Sequence, residues 1–134
     1  MVEFVFLGVV LLVPLVYLVI TVARIQAGSL AVEQAAREGS RAFVTAPDAR
    51  SGEVRASAAV SLAYDDQGFG PPAPGQLAIT CNSGSCLEPG ARVTVRTELV
   101  VVLPGVPRFL SDVIPVSVTL GATHVASVDE FARR

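Results

Sequence analysis

Phe4–Ala23 reads FVFLGVVLLVPLVYLVITVA, and Arg24–Phe43 continues it as RIQAGSLAVEQAAREGSRAF. The first stretch has no charge over about twenty residues, the length a helix needs to cross a bilayer. The second is Ala-rich and keeps a helical pattern without a stop signal between the two. Together they predict one long helix, oily in its first half and amphipathic in its second. Glu3 stands immediately before the apolar run. Such a chain is expected to sit in a membrane and to offer a helical stem for packing outside it.

The second half has two faces. Ile25, Gly28, Val32, Ala35, Ala36, Gly39 and Phe43 recur at steps of three and four, a narrow apolar seam rich in small residues. Arg24, Gln26, Glu33, Arg37 and Arg41 lie largely away from it. Glu33 and Arg37 have the favourable i,i+4 order, worth a few tenths of a kcal/mol. Small residues let backbones approach closely, so the seam suits tight packing. Two partners are expected for it, the chain's own C-terminal part and other subunits, and both can hold along different turns. Pro14 interrupts the apolar run, removing a backbone hydrogen bond and making a kink or a point of local melting. Membrane helices tolerate such a residue when neighbouring groups satisfy the freed carbonyl.

Beyond the long helix, Thr45-Ala46-Pro47-Asp48 resembles a helix start. Val54, Ala58, Ala59 and Leu62 then mark the apolar stripe of a second helix. Gly68–Gly75 (GFGPPAPG) reads as turn chemistry and an exposed loop. Gln76–Cys81 is a short strand. In Arg92–Leu103, Val93, Val95, Thr97, Leu99, Val101 and Leu103 face one way and Arg92, Thr94, Arg96 and Glu98 the other, and Pro115–Ser127 repeats the pattern. Period two of this kind predicts half-buried antiparallel strands. The expected class is therefore α+β, with residues 1–45 a transmembrane and assembly helix and 46–134 an extracytoplasmic domain. That domain divides into a helix over 46–64, a loop over 65–75 and a three-stranded sheet over 76–128, covered by the helices.

Composition narrows function. The chain has 134 residues, a net charge of −2 and a mean hydropathy of +0.58. The charge gives no case for nucleic acid. All ten basic residues are Arg, a compositional habit. Cys81 and Cys86 frame the loop Asn82-Ser83-Gly84-Ser85. A disulfide closing a hairpin tip is preferred over two free thiols or a metal site, since structural zinc normally takes four ligands and only His124 could join the pair. A disulfide persists in an oxidising compartment, which places the C-terminal part outside the cytoplasm. The positive-inside rule opposes this, because Arg24 follows the span and nothing basic precedes it. A precursor carrying Lys or Arg upstream of Val2 would resolve the conflict and is expected. A cleaved secretory signal is disfavoured: the apolar run exceeds the usual 7–15 residues, and the helical pattern continues past Arg24.

No nucleophile elbow, metalloprotease helix, P-loop or dinucleotide fingerprint occurs, so no enzyme activity and no cofactor are expected. His124 is expected to be a satisfied core or edge histidine. Asp65-Asp66 is expected to be a solvated helix end. Glu3 either lies in the headgroup layer or pairs with the free α-amino group of a neighbouring subunit inside an apolar assembly.

Val2-Glu3-Phe4, the long span and Glu33–Arg41 (EQAAREGSR) resemble the TadE-like family, pilin-like proteins of tight-adherence (Flp-type) type IV pilus systems. The resemblance covers residues 1 to about 45. It implies a leader removed by a prepilin peptidase, and Glu3 in the place of a glutamate near the mature N-terminus, though at a different offset. It also implies a structural subunit of a filament or related secretion apparatus. Its partners would be the membrane, sibling pilin-like subunits, a platform protein and an assembly ATPase. The competing expectation is a single-pass anchored ectodomain that binds an envelope partner without polymerising.

Overall fold

The computed structural model describes residues 1–106, 112–113 and 116–131. Helix α1 runs unbroken from Val2 to Val44, and α2 from Ala49 to Asp66. Strands β1 (Leu77–Cys81), β2 (Arg92–Val102) and β3 (Ser117–Ser127) form one antiparallel sheet in the order β1-β2-β3. This is the α+β arrangement expected, a helical layer on one face of a small meander.

The two helices are separated by a joint that the residues dictate. Thr45 ends α1: its backbone N–H and its hydroxyl both donate to the Arg41 carbonyl, at 3.3 and 2.9 Å. Asp48 starts α2 with extended backbone, its carboxylate accepting from the Ser51 N–H and hydroxyl at 2.9 and 2.8 Å. The Ser51 N–H, then its hydroxyl, hold the Asp48 carboxyl below its ordinary pKa. Thr45 is thus the end of one helix, where the sequence suggests the start of the next, and Pro47 lies outside both.

The C-terminal half of α1 forms the spine of the domain. Gly28, Ala31, Val32, Ala35, Ala36, Gly39, Ser40 and Phe43 are buried. One core cluster gathers Ala31, Val32 and Ala35 with Val60, Ala63 and Tyr64 of α2 and Leu99 and Val101 of β2. A second gathers Phe43 with Ala56, Val93, Val95, Leu87 and Val128. A methyl group added at Gly28 would lie 2.6 Å from Val101 Cγ2 and 2.8 Å from Leu120 Cδ1. The absence of a side chain there is what lets α1 lie this close to the sheet.

The buried face of α2 is not the expected stripe. Gly52, Ala56, Val60, Ala63 and Tyr64 face inward, while Val54 and Leu62 are 66% and 62% exposed. Both sets have helical spacing. The choice goes to the smaller residues because α2 packs on α1 at close range, Gly52 against the Phe43 ring and Val60 against Gly39. The β2 pattern is as expected: Val93, Val95, Thr97, Leu99 and Val101 are buried. Leu103 follows the strand and is half-buried.

The loop after α2 also differs from a purely exposed turn. Gly68 adopts φ +75 and its N–H donates to the Asp65 carbonyl, while the Phe69 N–H donates to that of Tyr64. This is the Schellman ending that a left-handed glycine permits. It drops Phe69, 8% exposed, into the first core cluster.

Candidate anchoring and assembly surface

The first half of α1 packs on almost nothing. Val2, Phe4, Leu7, Leu11, Val13 and Leu18 are all more than half exposed, and an 18-residue window of mean hydropathy 2.9 has none of its residues buried. A helix of this length and composition could cross a membrane. Its apolar side chains point in every direction, which separates it from the buried core helix of a water-soluble fold. Glu3 lies in the first turn, where a carboxylate complements the helix dipole. Pro14 sits inside the helix without ending it.

Among the described residues, the domain also touches α1 at Tyr17. The backbone of Gly105, in the β2–β3 connection, lies against the Tyr17 ring: a methyl group there would be 3.1 Å from Tyr17 Cε2. About two turns further on, the Arg24 guanidinium lies 4.4 Å from the centroid of Phe69. This cation–π contact ties the end of the apolar run to the α2–β1 loop.

The seam residues lie inside the chain. Gly28, Val32, Ala35, Ala36, Gly39 and Phe43 are buried against α2 and the sheet, and Ile25 is half-buried. Of the two partners expected for the seam, the chain's own domain occupies it. Sequence reasoning missed Ala31 and Ser40 on the same face. Ala31 fits the three-residue step from Gly28 and was legible. Ser40 was hidden by its polarity.

Ser40 is fully buried and pairs with His124, Oγ to Nδ1 at 2.8 Å. The Ser40 hydroxyl also lies 2.8 Å from the Arg37 carbonyl, to which it can donate. Fully buried and bonded to His124, this serine ties α1 to β3. A second tie joins α2 to β2. Tyr64 donates from Oη to the Glu98 carbonyl at 2.9 Å and meets Thr97 Oγ1 at 2.5 Å, both side chains fully buried. Burial raises the Tyr64 pKa above its ordinary value, partly opposed by the Thr97 bond. Among the described residues no buried side-chain polar atom lacks a partner.

Cys81 and Cys86 are joined by a disulfide across a Cα separation of 5.3 Å. The loop is more than a tip: both half-cystines pack beside Leu87 and Ala91 in the second core cluster. Asn82 closes it, its side-chain oxygen accepting from the Arg92 N–H at 2.8 Å. The Glu33–Arg37 pair is open to solvent at 3.9 Å. Such pairs add little to stability. No cluster of three His, Cys, Asp or Glu that could hold a metal occurs among the described residues.

Comparison with family models, with curated proteins and with solved structures finds no match for this chain.

Proposed function

We propose that this chain is a pilin-like structural subunit of a tight-adherence type IV pilus or a related secretion apparatus. The first half of α1 parks it in the cytoplasmic membrane, the C-terminal domain stands outside, and the same half-helix packs against sibling subunits during assembly. The observation that carries this reading is the exposure of that half, with none of its most apolar window buried, on a helix that continues without a break into the domain core. A cleavable signal has no reason to be continuous with a structural spine. The disulfide supports an oxidising location for the domain. The resemblance of residues 1–45 to TadE-like proteins supplies the pilus system, its platform protein and its ATPase.

In the membrane Glu3 rests at the interface. In a filament it would lie among apolar neighbours and would need a cation, for which the α-amino group of an adjacent subunit is the proposed partner. Replacing Glu3 by Ala in the host should leave the amount of protein in the membrane unchanged and remove it from sheared extracellular filaments. Undiminished incorporation would show that Glu3 has no part in assembly.

One observation favours the second reading, an anchored ectodomain that does not polymerise: the small-residue seam is used up within the chain. Span-to-span cross-linking distinguishes the two. Ladders of higher oligomers support assembly, and monomer alone supports the simple anchor.

A further inference from the structure

We infer that the two edges of the sheet form a lateral interface between copies of this chain, β3 of one subunit adding to β1 of the next as a parallel strand. The inference rests on the assembly reading above and names a contact outside the membrane.

The charges of the sheet lie where they guard nothing. Edge strands ordinarily carry charge or proline, which stops other chains from adding to their free N–H and C=O groups. Here the central strand β2 carries Arg92, Arg96 and Glu98. The edges, Leu77–Cys81 (LAITC) and Ser117–Ser127 (SVTLGATHVAS), contain neither a charged residue nor Pro. Among the described residues no strand pairs with the outer side of either edge. Every second residue of β2 is buried, whereas none of β3 is. A groove of about 400 Å³ runs between Glu33, Ala36 and Arg37 of α1 and Ala122, Thr123 and His124 of β3. The helix and sheet layers are thus left open on the β3 side.

The register fixes which backbone groups are free. The Leu103 N–H donates to the Val116 carbonyl and the Val128 N–H to that of Ala91, so the even-numbered residues of β3 bond to β2. Thr119, Gly121, Thr123 and Val125 therefore turn their backbone groups outward, and all four are exposed. In β1 the Gln76 carbonyl accepts from the Glu98 N–H, and the Asn82 N–H donates to the Arg92 carbonyl. There Leu77, Ile79 and Cys81 turn outward, with side chains half-buried on the helix-covered face. Antiparallel pairing matches outward residues that share a face, and parallel pairing interleaves outward residues of opposite faces. With the helices kept on one side, β3 and β1 of two copies can continue one sheet only as parallel neighbours.

The direction of the stems agrees. Gly28 of α1 lies against Leu120 and Ser40 against His124, so β3 climbs alongside α1. Both edge strands pair antiparallel with β2, so β1 runs the same way as β3. Copies anchored in one membrane have parallel stems. Two β3 edges joined antiparallel would point their stems in opposite directions, which excludes that pairing. β3 against β1 keeps the stems parallel, and each added copy leaves a fresh edge. A head-to-tail contact of this kind propagates, as a filament requires.

Photo-cross-linking of the full-length protein in its host tests this. p-Benzoylphenylalanine is placed at Thr123 in one variant and at Ala78 in another, both exposed positions. The inference expects a cross-linked dimer from each. Peptide mass mapping should place the Thr123 probe on β1 of the second chain and the Ala78 probe on its β3. Thr119→Pro removes an outward N–H and leaves the ladder to β2 intact. Added to the Ala78 probe, it should abolish the dimer while the domain's denaturation midpoint stays near that of the parent. A dimer that survives Thr119→Pro would mean a contact other than strand pairing and would overturn the inference. Capture of a different protein, or attachment away from the two edges, overturns it as well. If span-to-span cross-linking gives its ladder and neither probe yields a dimer, the edges are unpaired and only the assembly reading stands. If neither ladder nor dimer forms, that reading fails and this inference with it.

Discussion

The two halves of α1 are one helix built to two specifications. From Phe4 to Ile20 the side chains are large, apolar and exposed on every side. From Gly28 to Phe43 the inward positions are mostly small and fully covered, and the exposed ones are polar apart from Leu30. Backbone propensity does not distinguish them. What does is the size and distribution of apolar groups, and this decides whether a helix is covered by its own domain or left exposed. A charge should therefore have opposite consequences in the two halves, which is the sharpest way to break the comparison.

Val32→Asp places a carboxylate at a site 2% exposed with no cation in the core cluster around it. It should cost about 3–5 kcal/mol, comparable to an uncompensated buried charge, and unfold the domain in detergent and lipid alike. Leu11→Asp should leave the domain's chemical-denaturation midpoint unchanged and reduce membrane retention, at a cost of about 2.5–3.5 kcal/mol for insertion. Circular dichroism and membrane flotation of the pair check both arms. Equal effects of the two variants on domain stability would erase the distinction.

A smaller effect is expected at the Tyr64 tie, which joins the second helix to the sheet. Tyr64→Phe leaves Thr97 and the Glu98 carbonyl short of a buried partner and should cost about 1–3 kcal/mol. Because burial raises the folded Tyr64 pKa above its ordinary value of 10.0, its contribution is complete below pH 10 and is lost as pH rises through the folded value. Wild type should lose stability in that alkaline window, and Tyr64→Phe should lose less. An identical alkaline slope in both would remove Tyr64 from the account.

The smallest effect lies at the joint between the helices. The Asp48 pKa is lowered by Ser51, so its contribution is present above the unfolded value of 3.8 and fades as pH falls through the folded value. Asp48→Ala should lower the thermal midpoint slightly at neutral pH, and the difference from wild type should vanish in acid. A difference that persists at low pH would mean that the carboxylate does not act as the cap.

Period-two alternation made β2 legible from sequence, because only one face of the sheet is covered and each inward residue is apolar or, for Thr97, able to bond within the core. The seam was legible for a similar reason, although sequence could not choose its partner. The α2 face was not. Val54 and Leu62 outrank Gly52 and Ala56 in hydrophobicity, but close helix packing selects on size, which requires knowing the distance to α1. Phe69 was lost among prolines and glycines, since its burial follows from a Schellman ending and not from any pattern around it. The Ser40–His124 and Tyr64–Thr97 ties join residues 84 and 33 positions apart, so they depend on the placement of strands against helices that no local reading supplies. At the candidate anchoring surface, the span was plain in the sequence, and its contact with Gly105 was not.

The central claim is that the exposed apolar half of α1 stays joined to the domain whose spine it continues. Intact mass measurement of the protein isolated from its host's membranes or filaments tests this most directly. The account predicts a mass that includes Phe4–Ala23 and a disulfide between Cys81 and Cys86. A mature chain that begins after Ala23, recovered free of membrane, would contradict it.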